Sequence, residues 1–347
     1  MRVLIAAGGT AGHINPALAI AGALKAADPT AEIHFAGRRE GMEYGLVTKA
    51  GYPFHHIEIN GFQRRLNLEN IGRNLVAIWH LALSGPRTKK ILNQVRPDLV
   101  IGCGGYVSGP IVRAAARRGI KTAIHEQNAF PGVTNKLLAR EVNIVLAASA
   151  DAVEKLGAPD KTTVVGNPVR PEVLTADRAA ARAKLNAGDR TVILSFGGSL
   201  GAQTINEAVA ALMAWHVPEG KLHHIHATGR YGVELLPRLL REKGVAYENN
   251  PNLDIREYIH DMPDCLAAAD LVIARAGAIT LAELTAVGRA SVLIPSPNVA
   301  ENHQYHNAMV LENHHAAVVI EEKDLTGEKL AETVRRLTDD PEKLRQL

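Results

Sequence analysis

Two glycine-rich turns, Gly8-Gly9-Thr10-Ala11-Gly12-His13 and Gly197-Gly198-Ser199-Leu200-Gly201, share the spacing Gly-Gly-x-x-Gly. Each follows a short apolar run, Val3–Ala7 or Val192–Phe196, and precedes apolar residues at helical spacing, so each reads as strand, tight loop, helix. A helix begun in this way turns backbone amides and the positive end of its dipole toward whatever lies above the strand. That is chemistry for holding a phosphate or another anion. A single Gly-Gly pair would serve equally well as a tight turn and nothing more; the second copy favours binding. The first turn fits neither G-x-G-x-x-G nor a Gly-Lys-Ser/Thr phosphate loop, so no nicotinamide cofactor is implied.

Other polar groups fall where a ligand would meet them. In a parallel sheet, residues at the carboxyl end of a strand face the binding crevice, and His125-Glu126-Gln127-Asn128 end the strand Thr122–His125. Capping and loop hydrogen bonds are their alternative use. Arg170, in the linker Gly166-Asn167-Pro168-Val169-Arg170-Pro171, is either a solvated charge or a group that reaches a phosphate or nucleobase. Thr280 and Glu283 match a capping box, in which hydroxyl and carboxylate each satisfy a first-turn amide. A glycine turn precedes them, so Glu283 is also placed to accept bonds from sugar hydroxyls. Asn302-His303-Gln304 falls in a hydrophilic loop, Pro295–His306.

Positioning these residues takes two α/β halves. Strands are expected at Val3–Ala7, Glu32–Ala36, Asp98–Gly102, Thr122–His125, Asn143–Ala147 and Thr162–Val165, then at Val192–Phe196, His223–Thr228, Asp270–Ala274 and Ser291–Ile294. Helices between them predict mostly parallel sheets. The fold class is therefore α/β, with two similar parallel-sheet domains, residues 1–164 and 165–347, facing each other across a cleft about a hinge at Gly166–Pro171. The first helix is expected at Pro16–Leu24 and the last element at Glu328–Leu337. At 347 residues and 46% hydrophobic, the chain is long enough for two cores. Thirty-nine basic against thirty-six acidic residues, a formal charge of +3, is too even a balance to argue for nucleic acid. Two cysteines, Cys103 and Cys265, and no cleavable leader before the first strand predict a reducing cytoplasmic setting without disulfides.

No apolar run approaches the roughly 20 residues needed to span a bilayer. Leu75–Leu83 is nevertheless apolar on nearly every side, flanked by Arg64, Arg65 and Arg73 before it and Arg87, Lys89 and Lys90 after it. It is either a buried helix or a peripheral membrane patch. In the second case Leu75, Ile78, Trp79 and Leu83 dip into the interface while the basic residues meet anionic headgroups.

Seven stretches occur in order along the chain: GGTAGHINP at Gly8–Pro16, GGYVSGP at Gly104–Pro110, HEQN at His125–Asn128, VGNPVR at Val165–Arg170, GGSLGAQ at Gly197–Gln203, RAGAITLAEL at Arg275–Leu284 and NHQYHNA at Asn302–Ala308. Through them nearly the whole chain resembles the bacterial peptidoglycan N-acetylglucosaminyltransferases of glycosyltransferase family 28. The resemblance implies a GT-B architecture of two Rossmann-like domains, inversion at the anomeric carbon and UDP-N-acetylglucosamine as donor. It implies as acceptor the muramyl-pentapeptide carried on undecaprenyl diphosphate, and a peripheral enzyme on the cytoplasmic face of the bacterial inner membrane, against an anionic membrane surface. Matched motif by motif, it assigns donor contacts to Thr10, Ala11, Gly12, Asn128, Arg170, Ser199, Ile259 of the Tyr258–Met262 segment, Ala278, Ile279, Thr280, Leu281, Ala282, Glu283 and Gln304. It assigns the acceptor to the neighbourhood of Tyr106 and the first glycine loop. The chain departs from the family pattern at Ala11, where glycine is usual; a methyl fits there if φ is negative. The family tends to end with a helix returning to the first domain, which here would be short.

In the implied reaction the muramyl 4-hydroxyl attacks the anomeric carbon on the face opposite UDP. The site must then remove a proton and steady a departing diphosphate. His13 is the candidate base, because it alone among the loop residues titrates near neutral pH; a hydrogen-bonding or acceptor-phosphate role is the alternative, and Glu126 is the reserve. Leaving-group charge would be met by amides at the Ser199 and Thr280 helix starts together with Arg170. No Asp-x-Asp occurs to hold a divalent ion, so neither a metal nor a cofactor is expected. The rival readings are a UDP-N-acetylglucosamine 2-epimerase and a non-catalytic nucleotide-sugar-binding regulator. The apolar segment favours a membrane acceptor over both.

Overall fold

A computed structural model of the protein describes residues 1–59, 85–198 and 200–347. Ser199 and the segment holding Leu75, Ile78, Trp79 and Leu83, with Arg64, Arg65 and Arg73, lie outside the described residues. The chain forms two compact units, Met1–Pro168 and Val169–Leu347, and the boundary falls inside the linker expected to be a hinge.

The first unit is built on seven strands: β1 (Arg2–Ala6), β2 (Glu32–Gly37), β3 (Phe54–His56), β4 (Leu99–Gly102), β5 (Lys121–Glu126), β6 (Ile144–Ala147) and β7 (Thr162–Val164). They run parallel in the order β3-β2-β1-β4-β5-β6-β7. The second unit has β8 (Thr191–Phe196), β9 (Leu222–Ala227), β10 (Leu253–Arg256), β11 (Leu271–Ala274), β12 (Ala290–Leu293) and β13 (Val318–Val319), parallel in the order β10-β9-β8-β11-β12-β13. Successive side chains of a strand point to opposite faces. Leu4 and Ala6 accordingly enter one core of the first unit, and Val3 and Ile5 another on the reverse of the same sheet. Val192 and Leu194 are separated from Ile193 in the same way. Both sheets are thus covered on both faces, as the nearly continuous apolar runs require.

Strand order reverses between β1 and β4 and again between β8 and β11. At such a switch the loops leaving the carboxyl ends diverge and leave a crevice. The first glycine turn leaves β1 and Cys103–Tyr106 leaves β4; the second glycine turn leaves β8 and Arg275–Gly277 leaves β11. The parallel sheets and the repeated strand, turn and helix are as expected.

Several boundaries differ. The first helix runs Ala11–Ala27, starting directly out of the glycine turn rather than at Pro16. Pro16 lies inside it, buried, and has no amide to pair with the carbonyl of exposed Gly12. Ala11 therefore has helical, negative φ and its methyl imposes no backbone strain. The expected loop Pro295–His306 ends early, because a helix begins at His303 and extends to Asn313. A helix at Pro341–Gln346 follows Gly327–Thr338, so Glu328–Leu337 is not the last element. Asp340 caps it by accepting from the amides of Glu342 and Lys343, and Pro341 opens it, a start signal present in the sequence. Leu344 and Leu347 pack into the second unit's own core. Among the described residues no helix is long and apolar enough to cross a membrane.

Candidate active site

In the first unit three carboxyl-end loops converge on His13. The imidazole sits on the first turn of helix Ala11–Ala27, half-buried, with Nδ1 3.1 Å from Oε1 of Gln127. It lies against Gly104, whose φ of +95° suits glycine; a Cβ there would stand 2.7 Å from His13 Nδ1. Tyr106, in the same loop, places a ring carbon 3.4 Å from where a Cβ on Gly9 would be, so the expected acceptor residue does lie beside the first glycine turn.

Gln127 is buried, and its Nε2 donates to the carbonyls of Cys103 and His125, each at 3.0 Å, and lies 3.0 Å from His125 Nδ1. His125 Nε2 is 3.1 Å from the carbonyl of Gly166. Burial pushes the His125 imidazole below its ordinary value, favouring the neutral ring. Glu126, the reserve base, is 1% exposed. Its two oxygens accept from the amide and side chain of Asn128 (2.9 and 3.0 Å), the amide of Gly132 (3.1 Å) and Asn135 Nδ2 (2.9 Å). That carboxylate is saturated with donors and organises its own loop. The capping alternative for His125–Asn128 thus describes Glu126, while Gln127 turns toward His13.

A second buried carboxylate, Glu43, accepts from the amides of Arg38 (3.0 Å) and Gly9 (3.4 Å) and so fixes the floor of the first turn. Sequence reasoning placed Gln127 at the crevice within HEQN but without its partner, and missed Glu43, which could have been sought as the acid shortly after the second strand.

In the second unit Arg170 and Glu283 grip each other. Arg170 Nε donates to Glu283 Oε1 at 2.6 Å and Nη2 to Oε2 at 3.1 Å, a bidentate fork in which the carboxylate is buried and the guanidinium half-exposed. This pairing raises the Arg170 value. The capping box is not formed: the helix runs Ala278–Ala286 from Gly277, with no side-chain cap, and Glu283 lies well inside it. Ala278, Ile279, Thr280, Leu281 and Ala282 form its opening turns with Glu283. Gln304, on the first turn of helix His303–Asn313, accepts the Ser296 amide at 2.9 Å. Ile259 is buried, and its segment is tied down by Arg256, which bridges Asp254 (2.8 and 2.5 Å) and Asp261 (2.5 Å). These ties also escaped the sequence reading. Helices Ala11–Ala27 and Gln203–His216, at the two glycine turns, likewise lack side-chain caps, leaving the geometry that suits an anion.

Beneath the second turn runs a buried polar chain. Asn206 Nδ2 donates to the Thr228 carbonyl at 3.0 Å, and Asn206 Oδ1 is 2.8 Å from His226 Nε2. His226 Nδ1 and His224 Nε2 each lie 2.7 Å from Ser195 Oγ, and His224 Nδ1 is 3.0 Å from His216 Nε2.

Two wholly parallel α/β domains with glycine turns at both switch points define a chain of GT-B type. Residues 3–147 match the glycosyltransferase family 28 N-terminal domain and residues 192–347 the family 28 C-terminal domain. The chain is 43% identical over 348 residues to a protein of Desulforamulus reducens named UDP-N-acetylglucosamine--N-acetylmuramyl-(pentapeptide) pyrophosphoryl-undecaprenol N-acetylglucosamine transferase, spanning 100% of this chain and 92% of that protein. A protein of the same name from Acetivibrio thermocellus is 44% identical over 348 residues, with the same coverage. The crystal structure of MurG from Acinetobacter baumannii superimposes with a TM-score of 0.75 at 30% identity, covering 99% of this chain and 94% of that one. The chain belongs to glycosyltransferase family 28, and it is a glycosyltransferase.

Proposed function

We propose that this enzyme transfers N-acetylglucosamine from UDP-N-acetylglucosamine to the 4-hydroxyl of the muramyl sugar of undecaprenyl-diphosphate-linked muramyl-pentapeptide, with inversion, in peptidoglycan synthesis. The observation that carries this reading is full-length identity of 42–44% to relatives bearing that transferase's name. The same relatives count against the epimerase, whose architecture would be similar.

The acceptor O4 forms a bond to the anomeric carbon as the bond from that carbon to the UDP oxygen breaks. UDP leaves with the electron pair, and the hydroxyl proton passes to His13. Glu126 is not the base in this reading, because its lone pairs are engaged by four donors. Charge on the departing diphosphate is met by Arg170 and by amides at the starts of helices Gln203–His216 and Ala278–Ala286. Donor contacts comprise Thr10, Ala11, Gly12 and Asn128 in the first unit, and Arg170, Ser199, Ile259, Ala278–Glu283 and Gln304 in the second. Tyr106 serves the acceptor.

A lipid-borne acceptor calls for an enzyme that works at a membrane surface. We assign it to the cytoplasmic face of the inner membrane, held peripherally by Leu75, Ile78, Trp79 and Leu83 and by basic residues that include the exposed Lys89 and Lys90. Failure to bind anionic liposomes at low salt would remove that assignment.

The deciding experiment is transfer of labelled N-acetylglucosamine from its UDP donor to the lipid-linked acceptor by wild type and His13→Ala. Transfer by the wild type, with turnover of the variant down by roughly 10²-fold or more, is the expected result. A folded wild type that binds UDP and transfers nothing, or that converts the donor alone, contradicts it.

A further inference from the structure

We infer that Gln127 is a positioning residue that holds neutral His13 in its Nδ1–H tautomer, leaving Nε2 as the only basic nitrogen of the ring; the catalytic value of this rests on the reading of His13 as the base. The orientation of the Gln127 amide follows from its neighbours. Its Nε2 faces the carbonyls of Cys103 and His125, both at 3.0 Å, and a flipped amide would set its oxygen against these two acceptors. The nitrogen must therefore stand there and the oxygen must face His13. An amide oxygen only accepts, so His13 Nδ1, 3.1 Å away, must carry the hydrogen.

A third contact agrees independently. The Gly166 carbonyl can only accept, which makes His125 Nε2 the protonated nitrogen and His125 Nδ1 a lone pair. That lone pair lies 3.0 Å from Gln127 Nε2 and shares the two amide hydrogens with the Cys103 and His125 carbonyls, so all three acceptors call for the nitrogen at this position. The sequence carbonyl of Gly166, His125, Gln127, His13 therefore has one consistent direction. Which ring nitrogen of a histidine is protonated is set by the bond the other makes. An amide partner, unlike a carboxylate, orients the ring without adding a charge beside it.

Two measurements on the full chain test this. The first is the nitrogen-15 spectrum of His13 in the free wild-type enzyme at a pH where the ring is neutral. The expected pattern has Nδ1 protonated and Nε2 bare; the reverse pattern overturns the proposal whatever any variant does. The second is Gln127→Met, which keeps the bulk and removes both polar functions. Loss of the Nδ1–H signature is expected, with kcat lower by roughly tenfold or more and KM for UDP-N-acetylglucosamine within about twofold. A folded Gln127→Met variant with an unchanged tautomer overturns the assignment to Gln127. Full activity of His13→Ala would instead remove the base reading and leave the tautomer assignment standing on its spectrum.

Discussion

Each unit carries a chain of hydrogen-bonded imidazoles and amides beneath its glycine turns, and the two differ in where they end. In the first unit the chain starts at the Gly166 carbonyl and finishes on His13, which is half-buried and sits in the turn itself. In the second it starts at the Thr228 carbonyl and passes through Asn206, His226, Ser195 and His224 to His216, every member buried. Its directions follow in the same way. Asn206 gives its amide hydrogen to the carbonyl and accepts from His226 Nε2, so His226 Nδ1 accepts the Ser195 hydroxyl hydrogen. Ser195 in turn accepts from His224 Nε2, and His224 Nδ1 from His216 Nε2. One device thus has two uses: where an end reaches a binding loop, the ordering of hydrogens can be passed to a reacting group, and where both ends are enclosed it can only specify the packing of the core.

The comparison can be broken most sharply at Gly104. Gly104→Ala would place a methyl 2.7 Å from His13 Nδ1 at a φ of +95°, displacing the imidazole from Gln127. Transfer turnover should fall by roughly 10²-fold, the order of a general base's contribution, in an enzyme that remains folded by circular dichroism. Wild-type turnover in that variant would separate His13 from the first chain's purpose.

Ser195→Ala cuts the second chain at its centre and leaves His226 Nδ1 and His224 Nε2–H without their partner. Denaturant unfolding should show a loss of about 1–3 kcal/mol, the penalty for stranding buried polar groups, while turnover of the folded enzyme stays within about twofold. A variant that is stable but inactive would make the two chains alike.

Acid should distinguish them without mutation. Burial pushes His216 down to about 4 and His226 down to about 3, and His224 well below the ordinary value. Below pH about 6.5 the unfolded chain binds protons that the folded one refuses, so stability falls as pH falls. The window runs from about 6.5 down to the folded values, and each buried imidazole costs up to about 2 kcal/mol between pH 6.5 and 5. Unfolding free energies measured across that range should slope accordingly, and the slope should shrink in His226→Asn.

The smallest effect concerns Arg170. Arg170→Lys keeps the charge but loses the fork on Glu283, and because the guanidinium is half-exposed, KM for the donor should rise only several-fold, with little change in kcat. A fall in kcat with unchanged KM would show that the positive charge alone does not meet the departing diphosphate and that the planar fork is needed there.

The alternation of apolar strands with helices, and glycine turns straight after β1 and β8, make the two parallel sheets legible in the sequence. Apolar periodicity reports which faces are buried, and glycine pairs report where the backbone must turn. Three-residue β3, two-residue β13 and four-residue β10, Leu253–Arg256, offered too little periodicity to find. The Thr280–Glu283 spacing looked like a cap because a local pattern cannot show that Gly277 starts the helix earlier and that Arg170 claims the carboxylate. Gln304 was read as loop because the left-handed residues Glu301 and Asn302 let the chain turn straight into a helix. Glu43, which was missed, and Gln127, whose place but not whose partner was legible, act on groups remote in sequence, and such partnerships have no local signature.

The Gly166 carbonyl that starts the first chain has one further implication, for how such an enzyme can change over generations. Every amino acid brings a carbonyl oxygen to its position, so the atom that orders His125 is invisible to selection on side-chain identity. What selection can act on is the backbone angle, +75° in φ, which aims that oxygen and which few residues besides glycine adopt readily. Substitutions in the linker are therefore filtered by their effect on a hydrogen-bond direction that ends at His13, and a neighbour that tilts the peptide would disturb that direction even with His125 and Gln127 intact.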